Sequence, residues 1–466
     1  MKIIMKRKKD YTIDMCNGPI LKKMLIFALP LMCSSVLQLL FNAADIVVVG
    51  HFAGDNSLAA VGSNGALIGL LTNLFVGLSI GSNVLVAKYY GGKNDKKLNK
   101  VVQTSILLSI VSGILLTIVG VAGAKRILIW MQTPDEVLEL ATTYLRIYFL
   151  GMTGTMIYNF GSAILRAVGD TKRPLYYLLS AGSVNIVLNL FFVVIIKFNV
   201  EGVAIATVIS QYISAYLIIR CLRHEDGGIN FNISQLKIDK EIFFEILKIG
   251  LPAGIQGILF SLSNVIIQSS INSFGATIMA GNSASSNVEQ FVYFAMNAFY
   301  QSTISFTSQN MGAKNYNRIN KILLTAQLCV IFVGVVFGNL VTIFGHTLLE
   351  MYSSNEEVIQ NGMIRLRIVS RTYALCGIMD VMVGALRGIG YSVIPMIVSL
   401  IGVCGLRLIW LATIFNIERF HTVKTVYLSY PITWVITSII HILCFIWAMK
   451  KLIKSTEESR RLKCVS

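Results

Sequence analysis

Leu165-Arg166-Ala167-Val168-Gly169, with Pro174 close behind, returns 221 residues later as Leu386-Arg387-Gly388-Ile389-Gly390, with Pro395 close behind. The same spacing of 221 separates Gly91-Gly92-Lys93-Asn94 from Gly312-Ala313-Lys314-Asn315, and Arg146 from Arg367. Earlier in each half, Ala28-Leu29-Pro30 and Asn42 return 222 residues on as Gly250-Leu251-Pro252 and Asn264. A nearly constant offset through most of 466 residues is the mark of an internal duplication. Whatever fold the first half adopts, the second half repeats it.

The composition says where that fold lives. Hydrophobic residues make up 55% of the chain and charged residues only 14%, against roughly 25% in a soluble domain. Mean hydropathy is +0.69. Too few charges remain to cover a water-facing surface. Apolar runs fall near 24–49, 57–83, 101–122, 142–164, 175–197 and 202–222, then near 243–271, 278–305, 320–345, 362–385, 393–416 and 424–449. Each is long enough for a hydrocarbon core of roughly 30 Å, and several exceed it and are expected to tilt or kink. The first run is too long for a cleaved signal, and no small-residue cleavage site follows it. The prediction is an all-α integral membrane protein with twelve transmembrane helices in two six-helix lobes. Six is even, so the halves enter from one side and form a parallel repeat about an axis along the membrane normal. The lobes are placed at 1–222 and 243–452, joined by a cytoplasmic linker at 223–242 and followed by a cytoplasmic tail at 453–466.

The net charge of +17 reads as topology. One side carries Lys6 to Lys9, Lys22 and Lys23, Lys88 to Lys100, Lys172 and Arg173, Arg220 to Lys248, Lys314 to Lys321, and the tail from Lys450 to Lys463. The other side holds only Lys125, Arg126, Lys197, Arg419 and Lys424. The positive-inside rule puts both termini in the cytoplasm, and an even number of crossings agrees. No basic domain stands outside the membrane, which argues against nucleic acid as a partner. The eight cysteines are scattered, with no CxxC and no Cys/His cluster, so neither disulfides nor structural zinc are expected. No loop is long enough for a catalytic domain, and no His/Asp/Glu cluster has the spacing of a metal site or a triad. The expectation is a carrier, not an enzyme or a receptor.

An ionisable residue within a membrane span is costly and marks function by default. Three acids lie deep in predicted spans: Asp45, Glu289 and Asp380. Gln38, Asn42 and Asp45 recur at i, i+4 and i+7 and share a helix face, as do Asn185 and Asn189 one turn apart. Asp45 is expected to be the coupling acid; its structural alternative is hydrogen-bonded glue between helices. Glu289 and Asp380 are candidates for attracting a cationic substrate, together with Gln38, Asn42, Gln256 and Asn264. The alternative for both acids is an internal ion pair with Arg365, Arg367, Arg371 or Arg407, and for Asp380 that alternative is the preferred one. Gln256, Ser263, Asn264 and Gln268 face either the cleft or a neighbouring helix. Pro30 and Pro252 each remove a backbone hydrogen bond and are expected to kink their helices. Arg166 and Arg387, at span ends, read as structural or head-group contacts.

The ordered set of motifs resembles the MATE family, the multidrug and toxic compound extrusion transporters, and within it the bacterial DinF- and MepA-like branch. The resemblance covers about residues 20–450. It rests on Asn42-Ala43-Ala44-Asp45 with Val49-Gly50, the glycine-lysine loop after the second span, Gln309-Asn310-Met311-Gly312-Ala313, both Leu-Arg-x-x-Gly turns with their prolines, and Tyr430-Pro431. It implies a secondary antiporter of the bacterial inner membrane that exports amphipathic, often cationic compounds against inward H⁺ or Na⁺, by alternating access of two lobes. It further implies that Asp45, Asn185, Thr207 and Tyr144 match the family's N-lobe cation site. Asn189 departs from members with an aspartate there, and Phe260 stands where some relatives carry a cation-binding glutamate. One carboxylate among amide and hydroxyl oxygens is a sound proton site, since burial favours the neutral acid. It makes a weaker Na⁺ site, though Asp45, Asn185 and Thr207 offer the oxygens a hard cation needs. Protons are therefore favoured, with no cofactor beyond the coupling ion. Expected partners are small amphipathic molecules and membrane lipids, with the protein a monomer. The competing function is a flippase for lipid-linked oligosaccharide or other amphipathic lipid cargo, which would want arginines in the cleft.

The duplication stops at the acids. Asp45 falls opposite Ile267, Glu289 opposite Ile68, and Asp380 opposite Asn159. The symmetry is expected to serve motion, and its breaking to assign the ion to the N-lobe.

Overall fold

The computed structural model describes Tyr11 to Val465, without the side chains at 55, 63, 66, 456 and 457 and from 459 onward. The basic cluster Lys6 to Lys9 lies outside these residues, as does the side chain of Lys463. No β-strand occurs among the described residues. The first half comprises α1 (Ile20–Phe52), α2 (Asp55–Gly91), α3 (Asp95–Trp130), α4 (Asp135–Leu150), α5 (Met152–Ala167), α6 (Lys172–Leu190) and α7 (Val200–Arg223). The second comprises α8 (Lys240–Asn272), α9 (Ala276–Gly312), α10 (Tyr316–Ile343), α11 (Gly345–Glu350), α12 (Glu356–Ile368), α13 (Tyr373–Gly388), α14 (Val393–Ser399), α15 (Leu406–Ala412) and α16 (Val423–Val465). The pairs α4–α5, α12–α13 and α14–α15 each make one crossing, so each lobe has six. Ten crossings are long and apolar enough to span a membrane among the described residues. The other two are α4–α5, broken at Gly151, and α9, which carries Asn282, Glu289, Asn297 and Gln301.

The repeat is structural down to single turns. α2 and α9 differ by 221 at both ends, and so do α5 and α13. Left-handed backbone recurs at that offset too: Gly54 with Gly275, Lys93 with Lys314, Gly169 with Gly390. These are the tight connections where the chain reverses, and glycine takes up φ near +100° without a side-chain clash. α1 has 33 residues, about 50 Å of helix, well beyond a hydrocarbon core. Both Pro30 and Pro252 lie inside their helices.

Two departures from an unbroken twelve-span pattern matter. The fourth and tenth crossings are interrupted, at Gly151 and at a 3₁₀ turn over Ser370–Thr372. The fifth and eleventh pass through π-helical turns, Phe191–Ile195 and Leu400–Gly405. Short π segments loosen the hydrogen-bond ladder and re-aim side chains, often beside functional sites. The first of them begins two residues after Asn189.

Glycines join the lobes. Gly77 and Gly81 of α2 meet Gly250 and Gly254 of α8, and a Cβ at any of the four would overlap the facing backbone. Two G-x-x-x-G faces pressed together let helices approach to backbone contact, as in membrane helix pairs generally. Gly312 is equally tight against the Lys88 carbonyl. This seam lies toward the face that bears the Lys93 and Lys314 loops, called the basic face below. Further along α2, Gly62, Gly65 and Gly69 meet nothing within 4 Å. The lobes therefore touch near the basic face and part toward the opposite one.

Two segments reinforce the basic face. Residues 11–19 thread between the lobes: Met15 is fully buried, and the Ile13 backbone packs on Gly169. Asn310 Nδ2 donates to the Met15 carbonyl at 3.1 Å, and Arg318 donates to the carbonyls of Met15 (3.3 Å), Asn17 (3.0 Å) and Gly18 (2.8 Å). The linker between the lobes forms two 3₁₀ turns, Gly227–Ile229 and Ile233–Gln235, and no longer helix. It buries Ile229 and Phe231, and Asn99 and Gln103 of α3 donate to the Asn230 carbonyl. Lys100 bonds Asp239 at 2.7 Å and holds that carboxyl below its usual range. At the far end, α16 runs on through the segment expected to be a separate tail.

Candidate functional site

Each lobe holds a cavity of about 520 Å³, and a third of about 350 Å³ lies between them. These volumes suit small-molecule ligands.

The N-lobe cavity is walled by α1, α2, α4, α5, α6 and α7. Gln38, Asn42 and Asp45 all line it, as their shared helix face requires, and Gln38 also reaches the central cavity. Gly182 brings α6 onto α1, because its missing side chain makes room for the Phe41 ring. That approach joins residues 144 positions apart: Asn189 Nδ2 donates to Asp45 Oδ1. Asn189 Nδ2 also donates to Asn185 Oδ1 at 3.2 Å, and Asn185 Nδ2 to Thr207 Oγ1 at 3.3 Å. Tyr144 lies against the same cavity, stacked on Tyr148 at 5.9 Å between ring centroids. The five candidate coupling residues thus converge, four of them in one hydrogen-bonded chain. Asp45 is 9% exposed and Asn189 is fully buried. Among the described residues no Lys or Arg lines this cavity, and Asp45 is the one carboxylate that does. Asn189 Oδ1 has no donor. Among the polar lining residues not picked out from the sequence are Tyr148 and Gln211. Each stands one helical turn beyond a residue that was, Tyr144 and Thr207, so helical spacing alone would have found them.

The C-lobe cavity treats charge differently. Glu289 does not stand free in it. Arg365 grips Glu289 Oε2 through Nη2 at 2.8 Å and Nε at 3.1 Å, while Ser370 donates to Oε1 at 3.1 Å. Arg365 Nη1 reaches Asn282 at 2.7 Å, and Tyr427 donates to the same amide oxygen at 3.2 Å. The 3₁₀ break between α12 and α13 supplies Ser370 to this network. Buried charges tolerate such a position only when paired and hydrogen-bonded, and this pair is both. Asp380 goes the other way. It lines the cavity, and among the described residues no Lys or Arg lies within 4 Å of its carboxylate, so the preferred expectation of an ion pair is not what the structure shows. Asn264 lines this cavity as well. Gln256 does not; its Oε1 accepts from Arg387 Nη2 at 2.8 Å, and Arg387 also bonds the Tyr300 hydroxyl. Arg387 is therefore a buried strut, not a head-group contact. Its repeat partner Arg166 lines the central cavity. Arg367 and Arg371 are exposed, away from all three cavities.

Two pseudo-symmetric six-helix lobes, each with charge buried around a cavity, joined at one face and parted at the other, define the class of two-lobed membrane transporters. The chain belongs to the MatE family, whose model matches it twice, over residues 30–191 and 252–413. The two matches fall on the two lobes. Members of this family are transporters and not enzymes. The chain is 28% identical over 393 residues to the probable multidrug resistance protein YoeA of Bacillus subtilis (strain 168), covering 83% of this chain and 85% of that one. It is 22% identical to the multidrug export protein MepA of Staphylococcus aureus (strain NCTC 8325 / PS 47), covering 80% and 83%. Among solved structures, a MOP superfamily transporter from Pyrococcus furiosus superposes with a TM-score of 0.89 at 22% identity, over 96% of this chain and 99% of that one. An outward-facing multidrug resistance MATE family transporter superposes at 0.88, also at 22% identity, over 96% and 100%.

Proposed function

We propose that the chain is a secondary active antiporter of a bacterial inner membrane, exporting amphipathic, often cationic small molecules in exchange for H⁺. The names of YoeA and MepA support multidrug export as the activity. The basic face is assigned to the cytoplasm, which places both termini there and makes the structure outward-open. The protein works as a monomer, each lobe being complete in itself.

One observation carries the coupling: Asp45, a single buried carboxylate, faces a cavity that no cationic side chain lines. An ionisable group inside a span is costly and marks function by default, and a carboxylate facing a cavity can exchange a proton wherever water enters it. The wall around it favours H⁺ over Na⁺. It offers a Na⁺ ion a single carboxylate, with neutral amide and hydroxyl oxygens from Asn185 and Thr207 beside it, and the Asn185 and Asp45 oxygens each already share a lone pair with Asn189, which makes a weakly charged oxygen set for a hard cation. Na⁺ at Asp45, Asn185 and Thr207 remains the alternative ion. The flippase reading has weaker support. Of the four arginines that would favour anionic lipid cargo, Arg367 and Arg371 are exposed, Arg365 is neutralised by Glu289, and Arg407 alone lines a cavity without a carboxylate beside it.

The test is dye export in everted vesicles with pH and Na⁺ gradients imposed separately. Wild type is expected to follow the pH gradient, and Asp45→Asn to lose about 10-fold or more of gradient-driven export, about 1.4 kcal/mol or more of coupling. Normal export with unchanged ion dependence in Asp45→Asn would end this reading.

A further inference from the structure

After Glu289 and Arg365 neutralise each other, the C-lobe cavity still holds one charge of each sign. Arg407, on α15, is 3% exposed. Its Nε donates to Thr433 Oγ1 at 3.1 Å, and its guanidinium lies 4.1 Å from the Tyr430 ring centroid and 5.7 Å from that of Trp434. Its Nη2 is buried with no acceptor, and among the described residues no carboxylate lies within 4 Å. Aromatic faces steady a cation, but they supply no hydrogen-bond acceptor and no counter-charge. A buried guanidinium left in that state is costly unless a ligand completes it. Asp380 lines the same cavity with no Lys or Arg within 4 Å of its carboxylate among the described residues, Arg387 acting on it from further off. Both groups belong to the wall of a cavity of about 520 Å³ that also presents Phe260, Tyr293 and Trp434.

We infer that the C-lobe cavity is a binding site for zwitterionic amphiphiles. The ligand's anionic group, a carboxylate or phosphate, docks on Arg407 Nη2. Its cationic group is held by Asp380, and its flat apolar body lies among the aromatic walls. The site deepens the export reading by naming a substrate class for the C-lobe, and it rests on that reading only for the direction of transport. A carboxylate drug and a zwitterionic lipid head group share this chemistry.

Rhodamine 110 and its methyl ester, rhodamine 123, make a matched pair of probes. The first is a zwitterion with a free carboxylate; the second is a cation without one. Fluorescence anisotropy on the purified full chain in lipid-free micelles, with no ion gradient, reads binding apart from coupling. A failure here therefore differs from a failure of Asp45 to couple. Wild type is expected to bind the acid at least 10-fold more tightly than the ester. Arg407→Gln is expected to remove that preference by weakening the acid about 10-fold while leaving the ester within 2-fold. Arg407→Lys is expected to retain part of it, and Asp380→Asn to weaken both dyes. Competition by short-chain phosphatidylethanolamine supports the site with a lipid as its natural ligand, and lack of competition supports it with a soluble zwitterion. Equal affinity of wild type for acid and ester overturns the inference without any variant. So does a parallel loss of both dyes in Arg407→Gln.

Discussion

The two lobes enclose cavities of the same volume and manage buried charge in opposite ways. The N-lobe cavity has one carboxylate among its described lining residues, Asp45, answered by the Asn189 amide and the Thr207 hydroxyl and by no cation. The C-lobe has two acids and two arginines in its wall, one pair joined and one pair apart. The lesson is that symmetry of backbone and symmetry of chemistry are separable. A duplicated scaffold keeps the two lobes alike in backbone, while each lobe's polar residues are free to specialise. The joined pair stabilises structure, and the lone groups are left available for ions or ligands.

The sharpest way to break this contrast is Glu289→Gln. It leaves Arg365 buried without its partner, and losing one member of a buried pair is destabilising by about 3–5 kcal/mol. The unfolding midpoint in detergent should fall clearly, and Arg365→Met added to Glu289→Gln should recover much of the loss. Recovery failing in the double variant would mean that the network as a whole, not the ion pair, holds the lobe. Asp45→Asn should behave in reverse. It exchanges a carboxyl that no cation pairs with for an amide of the same shape, so stability should stay within about 1 kcal/mol, while gradient-driven export falls about 10-fold or more. A large fall in the midpoint would make Asp45 a structural residue. Asn189→Asp should sharpen the comparison further by giving the N-lobe two facing acids. Export should then gain a dependence on Na⁺ that wild type lacks, read in vesicles at fixed pH. The smallest effect belongs to Arg367→Gln. This arginine touches no cavity, and an exposed change of this kind stays within about 0.5 kcal/mol, with export unaltered.

Much of the architecture was legible because membrane proteins write their constraints in runs and repeats. The offset of 221 is visible in Leu165–Gly169 against Leu386–Gly390 and returns in the structure as matched helix ends and matched left-handed turns. The face Gln38–Asn42–Asp45 was legible from helical spacing. The partners of the acids were not. Asn189 lies 144 positions from Asp45, and Arg365 lies 76 from Glu289. No local pattern encodes which of four arginines will meet a given acid, because helix packing decides it. Glu289 found Arg365 because Gly281 of α9 packs directly against the α12 backbone at Val358 and Gly362. The breaks at Gly151 and Ser370–Thr372 were hidden for a related reason. Hydropathy registers an apolar run, and a single unwound turn inside it hardly changes the average.

The segment 11–19 gives the basic face a timing element. It is wedged between the lobes, with its backbone on Gly169 of one and its carbonyls taken by Asn310 and Arg318 of the other. Rocking to the opposite state has to release it. Hydrogen bonds of this kind are worth about 1 kcal/mol each, so two of them alter the balance of a two-state carrier by more than 10-fold. On the proposed cycle, the dwell in the present state is expected to depend partly on this short segment, which lines none of the three cavities. Arg318→Ala should shorten that dwell while leaving both cavities as they are, observable as faster interconversion between distance labels placed across the basic face.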